Sequence, residues 1–164
     1  MRTHTCSQLN EINIGDTVTL CGWVNAFRGH GGGLIFVDMR DRDGVTQVVF
    51  DSEDGNESTM QAGDRLRNED CIKVVGVVRA RAKSNPKIET GAIEVLVTEL
   101  EVLSKTNKLP FLPSNEKDLP NEEVRLRYRY IDMRRPKMQS ILQTRHRVAK
   151  LTRDYFDEHR FIEV

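Results

Sequence analysis

The stretch Leu34-Ile-Phe-Val-Asp-Met-Arg-Asp-Arg-Asp-Gly-Val-Thr-Gln-Val-Val-Phe50 decides the fold. Residues 34–39 and 45–50 are rich in β-branched and aromatic side chains, which read as strands. Between them lies Asp41-Arg-Asp-Gly44, and an Asp-Gly pair favours the left-handed backbone of tight hairpins. The stretch predicts a hairpin of strands two and three.

Working outward, Thr17-Val-Thr-Leu-Cys-Gly-Trp-Val24 alternates polar and apolar residues, the period of a strand buried on one face, and gives strand one. A glycine-rich break over 29–33 joins it to the hairpin. Residues 60–66 read as a short helix. Strands four and five follow at 71–80 and 92–102, separated by the turn-rich Ser84-Asn-Pro-Lys87. Five strands with a helix after the third is the order of an OB-fold, a five-stranded Greek-key barrel that binds oligonucleotides on the face of strands two and three. Gly76, inside strand four, suits the sharp coiling of a barrel. Pattern alone leaves a β-sandwich as the alternative.

From 104 the composition changes. Leu109-Pro-Phe-Leu-Pro113 and Leu119-Pro120 mark a linker. Asn121-Glu-Glu123 then offers an N-cap with acids in a first turn, predicting a short helix through 130. Pro136 can open a second helix, with Ile141, Leu142, Val148, Leu151, Tyr155 and Phe156 at helical spacing. The architecture expected is mainly β: a five-stranded barrel, a linker and two helices.

The chain has 164 residues, enough for one core and an appendage. Its 25 basic and 25 acidic residues balance, so net charge neither predicts nor excludes a polyanionic partner. Distribution says more: residues 125–153 hold ten Lys or Arg and one acid, Asp132. That segment reads either as a solvated face or as a contact for a phosphate backbone. The polar start has no apolar signal segment, and no apolar run approaches the roughly 18 to 20 residues of a membrane helix, so a soluble, cytoplasmic chain is expected. Cys6, Cys21 and Cys71 lack metal or disulfide spacing and read as free thiols.

Candidate chemistry narrows quickly. Gly29-His-Gly-Gly-Gly33 is followed by a strand rather than by Lys-Ser/Thr and a helix, which disfavours a phosphate-binding loop. No G-x-S-x-G is present to match it as an oxyanion loop, which leaves a plain connection. Asp38, Asp41 and Asp43 miss the EF-hand spacing, and His4, His30, His146 and His159 are scattered, so no metal site or hydrolytic triad is expected. Nucleic acid remains. Arg28 at the exit of strand one, Phe36 on strand two and Gln47 on strand three fall where a barrel binds bases: a ring to stack, a cation for phosphate, a carboxamide to read an edge. By itself Phe36 reads more readily as a core residue, whereas Gln47 is costly to bury without a partner.

At Leu20-Cys-Gly-Trp-Val-Asn25, in residues 34–50, in Leu66-Arg-Asn-Glu-Asp-Cys-Ile72 and in Gly91-Ala-Ile-Glu-Val95, the sequence resembles the anticodon-binding barrel of bacterial-type aspartyl-tRNA synthetases. Arg125-Leu-Arg-Tyr-Arg-Tyr-Ile-Asp-Met-Arg-Arg-Pro136 is similar to the hinge of that family, and residues 136–164 resemble the start of its first class II motif. The resemblance implies three parts: an OB-fold anticodon-binding domain over 1–104, a linker and hinge over 105–135, and the beginning of a catalytic domain over 136–164. It implies an enzyme that uses ATP and Mg to activate aspartate and load tRNA(Asp), as a homodimer. The second and third class II motifs are missing, so this piece is expected to be inactive alone and to hold no cofactor. Residue by residue, Phe36 matches the ring that stacks on the central uridine and Gln47 the group that bonds its edge. Glu94 matches the reader of the first anticodon base, and Arg28 a basic residue near the third. Asn85 is a looser match in a loop of variable length. Ala26-Phe27 stand where the family commonly has arginines, and Phe27 is a candidate to stack in their place. His30 followed by glycines resembles the loop of relaxed-specificity members that also charge tRNA(Asn). Two alternatives stay open: a freestanding single-strand-binding barrel, and an asparaginyl or lysyl relative.

Overall fold

A computed structural model describes residues 1–29, 33–54 and 56–164. It divides into two compact units, Met1–Lys108 and Leu109–Val164.

The first unit is a closed barrel. Its strands are β1 (Thr17–Gly29), β2 (Leu34–Arg40), β3 (Val45–Asp51), β4 (Cys71–Ala80) and β5 (Ile93–Ser104), with helix α1 (Glu57–Asp64) between β3 and β4. Around the ring the order is β1-β2-β3-β5-β4, closed by β1 against β4. The barrel reading of the pattern holds over the sandwich. Four of the pairings are antiparallel, and β3 and β5 run parallel where Val48 faces Val95 and Val49 faces Leu96. Alternate residues point inward, so Leu20, Val37, Met39, Val48, Phe50, Val74 and Val95 fill the interior. Helix α1 starts three residues before the predicted start, because the Asn56 side chain accepts from the Ser58 N–H and caps it.

One glycine acts differently from its sequence reading. Gly44 does not adopt a left-handed backbone; the described glycines that do are Gly15 and Gly33. The Asp41 carboxylate closes the turn instead, with Oδ1 accepting from the N–H of Asp43 at 2.8 Å and of Gly44 at 3.0 Å. Gly44 is small for another reason: a Cβ there would lie 2.8 Å from that of Ser7. The N-terminal segment thus lies tight against the hairpin. Its Cys6 and Leu9 enter the core, and the Cys6 N–H donates to Asp41 Oδ2 at 2.8 Å. Burial and the neighbouring Asp41 push the Cys6 thiol up, which makes it inert. None of the three cysteines forms a disulfide.

In the second unit three helices follow the linker, not two: α2 (Glu122–Arg127), α3 (Arg129–Asp132) and α4 (Pro136–Glu158). Asn121 caps α2 by accepting from the Val124 N–H. Tyr128 splits the expected helix, since its φ of −109° and ψ of 42° leave the helical region. Pro136 opens α4 as predicted, with no side-chain cap from Arg135. Glu116 serves instead, its Oε1 accepting from the Lys137 N–H at 3.4 Å and its Oε2 from buried Arg135 at 2.8 Å. Asp132 holds the other side of that guanidinium at 2.7 Å. Glu116→Ala removes half of this clamp, so a loss of about 1–3 kcal/mol in the second unit is expected. The three tyrosines, Tyr128, Tyr130 and Tyr155, all lie there and the single tryptophan, Trp23, in the barrel. Denaturation followed by tyrosine signal, with Trp23 unmoved, checks it.

No helix of the described residues is long and apolar enough to cross a membrane.

Candidate nucleic-acid interface

The interface depends on one extra residue in β1. Val24 faces Met39 on β2, but the next pair is Ala26 with Asp38, so Asn25 is a bulge. Before it Val18, Leu20 and Val24 point inward; after it Phe27 does, packing on the core opposite Val37. An unbroken period of two would have turned Phe27 outward and Arg28 into the core. The bulge is pinned: Asn25 Oδ1 accepts from Arg40 at 2.6 Å, and Arg40 grips buried Glu69 at 2.9 and 3.0 Å. Phe27 therefore packs, partly buried, against the core on the inner side of the sheet, away from the outer face where the family's arginines are expected.

On the outer face Arg28 stands beside Phe36, which is its direct partner in register. Phe36 is half-buried and points away from the apolar interior, against the core reading of that residue. Next along the sheet Asp38 pairs with Gln47. Farther round, Arg79 on β4 pairs with Glu94 on β5. Every strand supplies at least one polar member of a continuous chain of bonds. Arg28 donates from both terminal nitrogens to Asp38, at 2.8 and 2.6 Å, and from one of them to Gln47 Oε1 at 3.3 Å. Gln47 Nε2 donates to Glu94 Oε2 at 2.8 Å. Glu94 Oε1 accepts from Arg79 Nε at 2.8 Å, and Arg79 goes on to Asp54 at 3.1 Å and Asp51 at 3.5 Å. Gln47 is 3% and Glu94 6% exposed, so both polar groups are nearly desolvated and both are satisfied.

Electrostatically the face is self-contained. Burial works against the Arg79 charge, but Glu94 and Asp51 outweigh it and hold its pKa above the ordinary value. The N–H groups of Glu53 and Asp54, with Arg79, hold Asp51 below the usual carboxylate range. Arg28 is spent on Asp38, so it is not a free cation for phosphate. In the basic segment of the second unit, Glu116, Asp154 and Glu163 pair with Arg135, Lys150 and Arg153, so acids from outside the segment partly neutralise it.

Four of the predicted residues thus meet: Arg28, Phe36, Gln47 and Glu94. Asn85 lies in the β4–β5 loop, where its side chain accepts from the Lys87 N–H and its backbone bonds to Gly91. His30 lies outside the described residues. Asp38 and Arg79 were missed as members of the face. In the sequence Asp38 presents itself as a candidate metal ligand and Arg79 as part of strand four. Their outward parity was available, but the pairings that join them run through Arg28 and Glu94 and need the register. Among the described residues no group of His, Cys, Asp or Glu could hold a metal.

A closed five-stranded barrel carrying a half-buried ring beside a desolvated carboxamide and carboxylate has the form of a base-binding OB-fold. The chain belongs to the OB-fold nucleic acid binding domain family, whose model matches residues 18–103. Residues 121–164 match a second model, tRNA synthetases class II (D, K and N). The chain is 46% identical over 166 residues to an aspartate–tRNA(Asp/Asn) ligase of Rhodopirellula baltica, covering 100% of this chain and 28% of that protein. It is 47% identical over 165 residues to one of Acidobacterium capsulatum, covering 99% of this chain and 27% of that protein. The asparaginyl-tRNA synthetase of Pyrococcus horikoshii is similar in structure, with a TM-score of 0.83 at 26% identity over 98% of this chain and 36% of that one. The chain spans little more than a quarter of the length of the curated relatives it matches.

Proposed function

We propose that this chain is the anticodon-reading part, with hinge, of an aspartate–tRNA ligase. Phe36 stacks on the central base, Gln47 bonds its edge, and Glu94 reads the first base. The observation that carries this is the outward Phe36 beside the Gln47–Glu94 pair, on the face an OB-fold uses for bases. Glu94 has an oxygen bonded to Gln47 and another to Arg79, and a carboxylate keeps about four acceptor positions, so two remain for the adjacent N–H groups of guanine. Arg28 steadies the pair, and Asn85 and His30 contribute further anticodon contacts. The parts fall as the OB-fold domain over 1–104, the linker and hinge over 105–135, and the first class II motif over 136–164.

The whole protein, in this reading, is a cytoplasmic homodimer that activates aspartate with ATP and Mg and loads tRNA(Asp) and also tRNA(Asn), as its curated relatives are named for both. ATP and Mg enter through the part of the relatives' length that this chain does not span. Ile141, Leu142, Val148 and Leu151 remain exposed along α4, which supports a second copy as their partner.

The test is exchange of labelled pyrophosphate into ATP by the whole protein with aspartate, asparagine or lysine, followed by charging of both tRNAs. Exchange with aspartate alone and charging of both is expected. Exchange with asparagine or lysine, or none with aspartate, overturns the reading.

A further inference from the structure

The Gln47 carboxamide is held at both ends by groups of opposite character. Its Oε1 accepts from Arg28 and its Nε2 donates to Glu94. A carboxamide has two acceptor positions and two N–H groups, so one of each is left over. Turned through a half circle about its last bond, it would set N–H against the Arg28 guanidinium and oxygen against the Glu94 carboxylate. Both bonds would become contacts between like groups, in a nearly dry site. One orientation therefore dominates.

That orientation matters because the Watson–Crick edge of cytidine is the inverse of that of uridine. Uridine offers an N3–H donor beside the O4 acceptor; cytidine offers an N3 acceptor beside the N4 donor. A carboxamide free to turn would satisfy either base in the same stacked position, whereas a fixed one satisfies a single order of donor and acceptor. We infer that Asp38 and Arg79, acting through Arg28 and Glu94, are positioning residues that fix which way round Gln47 faces and so set uridine over cytidine at the base it meets.

Each has the geometry for the task. The Arg28 side chain is 42% exposed and would otherwise swing into solvent; Asp38 grips both of its terminal nitrogens, at 2.8 and 2.6 Å. Arg79 takes Glu94 Oε1 and is itself anchored by Asp51 and Asp54. The carboxamide thus sits in the middle of a row of alternating charge, one member from each strand. Asp38 and Arg79 need not touch the base. They act through the two groups that touch Gln47.

This inference rests on the proposed anticodon reading, and the experiment separates the two. The full chain is titrated with synthetic RNA hairpins that carry the aspartate anticodon with U or with C at its centre. Wild type, Gln47→Ala, Asp38→Ala, Asp38→Glu and Arg79→Gln are compared. Wild type is expected to prefer the U hairpin by about tenfold or more. Asp38→Ala and Arg79→Gln are expected to bring that ratio to within about threefold, chiefly because the C hairpin binds more tightly than it does to wild type. Asp38→Glu, which keeps the ion pair, is expected to restore most of the ratio. A wild type that binds both hairpins alike overturns the anticodon reading, and the inference with it. A wild-type preference that Gln47→Ala abolishes but Asp38→Ala and Arg79→Gln both retain overturns the inference alone. A ratio that falls only because the U hairpin weakens also overturns it, since a damaged barrel would do that.

Discussion

Gly76→Ala is expected to destabilise the barrel by roughly 2–4 kcal/mol, the cost of forcing a side chain into filled space. A Cβ at this position would lie 2.3 Å from the Leu96 carbonyl oxygen and 2.7 Å from a methyl of Val95. Neither is the end of a flexible side chain. One is backbone in the ladder and the other belongs to the core. The β4–β5 register shifts between Val75 and Gly76, so this is where β4 irregularly crosses its neighbour. Denaturant unfolding followed by Trp23 fluorescence measures the loss. Gly29→Ala is the control, because among the described residues its added Cβ meets nothing closer than Phe27 at 3.8 Å, and a change within about 0.5 kcal/mol is expected. Equal stability of Gly76→Ala and wild type would mean that β4 and β5 slide apart freely, against the packing described.

Asp70→Asn is expected to cost a similar amount, roughly 2–4 kcal/mol, and only where the carboxylate is ionised. Asp70 is fully buried and ties the turn over residues 67–70 to residues 105–106. Its oxygens accept from the N–H of Arg67 at 2.9 Å, the N–H of Thr106 at 2.8 Å and Lys105 Nζ at 2.9 Å. Burial alone would raise its pKa, but those donors outweigh burial and hold it below the ordinary value. A folded pKa below the unfolded one stabilises above the unfolded value and ceases to do so as pH falls through the folded one. The gap between wild type and Asp70→Asn is therefore full at neutral pH and closes below about pH 4. A gap independent of pH would show that the carboxylate charge is not what holds residues 105–106 to the barrel.

The hairpin over residues 34–50 was legible because strand composition, period and turn residues agreed there. The turn still closes by another route, with Asp41 in place of a left-handed Gly44, since a polar side chain can satisfy the same N–H groups. Strand boundaries were right to within two residues except in β1, which runs five residues past the expected end at Val24, through the bulge to Gly29, while the break at Tyr128 left no local signal. The face was legible one residue at a time. Gln47 stood out as a carboxamide in an apolar strand, and Arg28 came from the resemblance and from its place at the strand exit. What puts Arg28 outside and Phe27 inside is the bulge at Asn25, which is pinned by Arg40 and, through it, by Glu69 far along the chain. The Arg79–Glu94 pair likewise depends on register between strands distant in sequence. Periodicity sees neither.

The most direct test of base reading by this barrel is binding of the chain to aspartate anticodon hairpins, with the central uridine intact or replaced, for wild type and Gln47→Ala at two salt concentrations. The expected result is a penalty of about 1–3 kcal/mol for replacing the uridine, absent in Gln47→Ala and present at both salts. If every hairpin binds wild type and Gln47→Ala alike, and only salt weakens the complexes, the barrel attracts backbone phosphate without reading a base, and the role given to Gln47 is wrong.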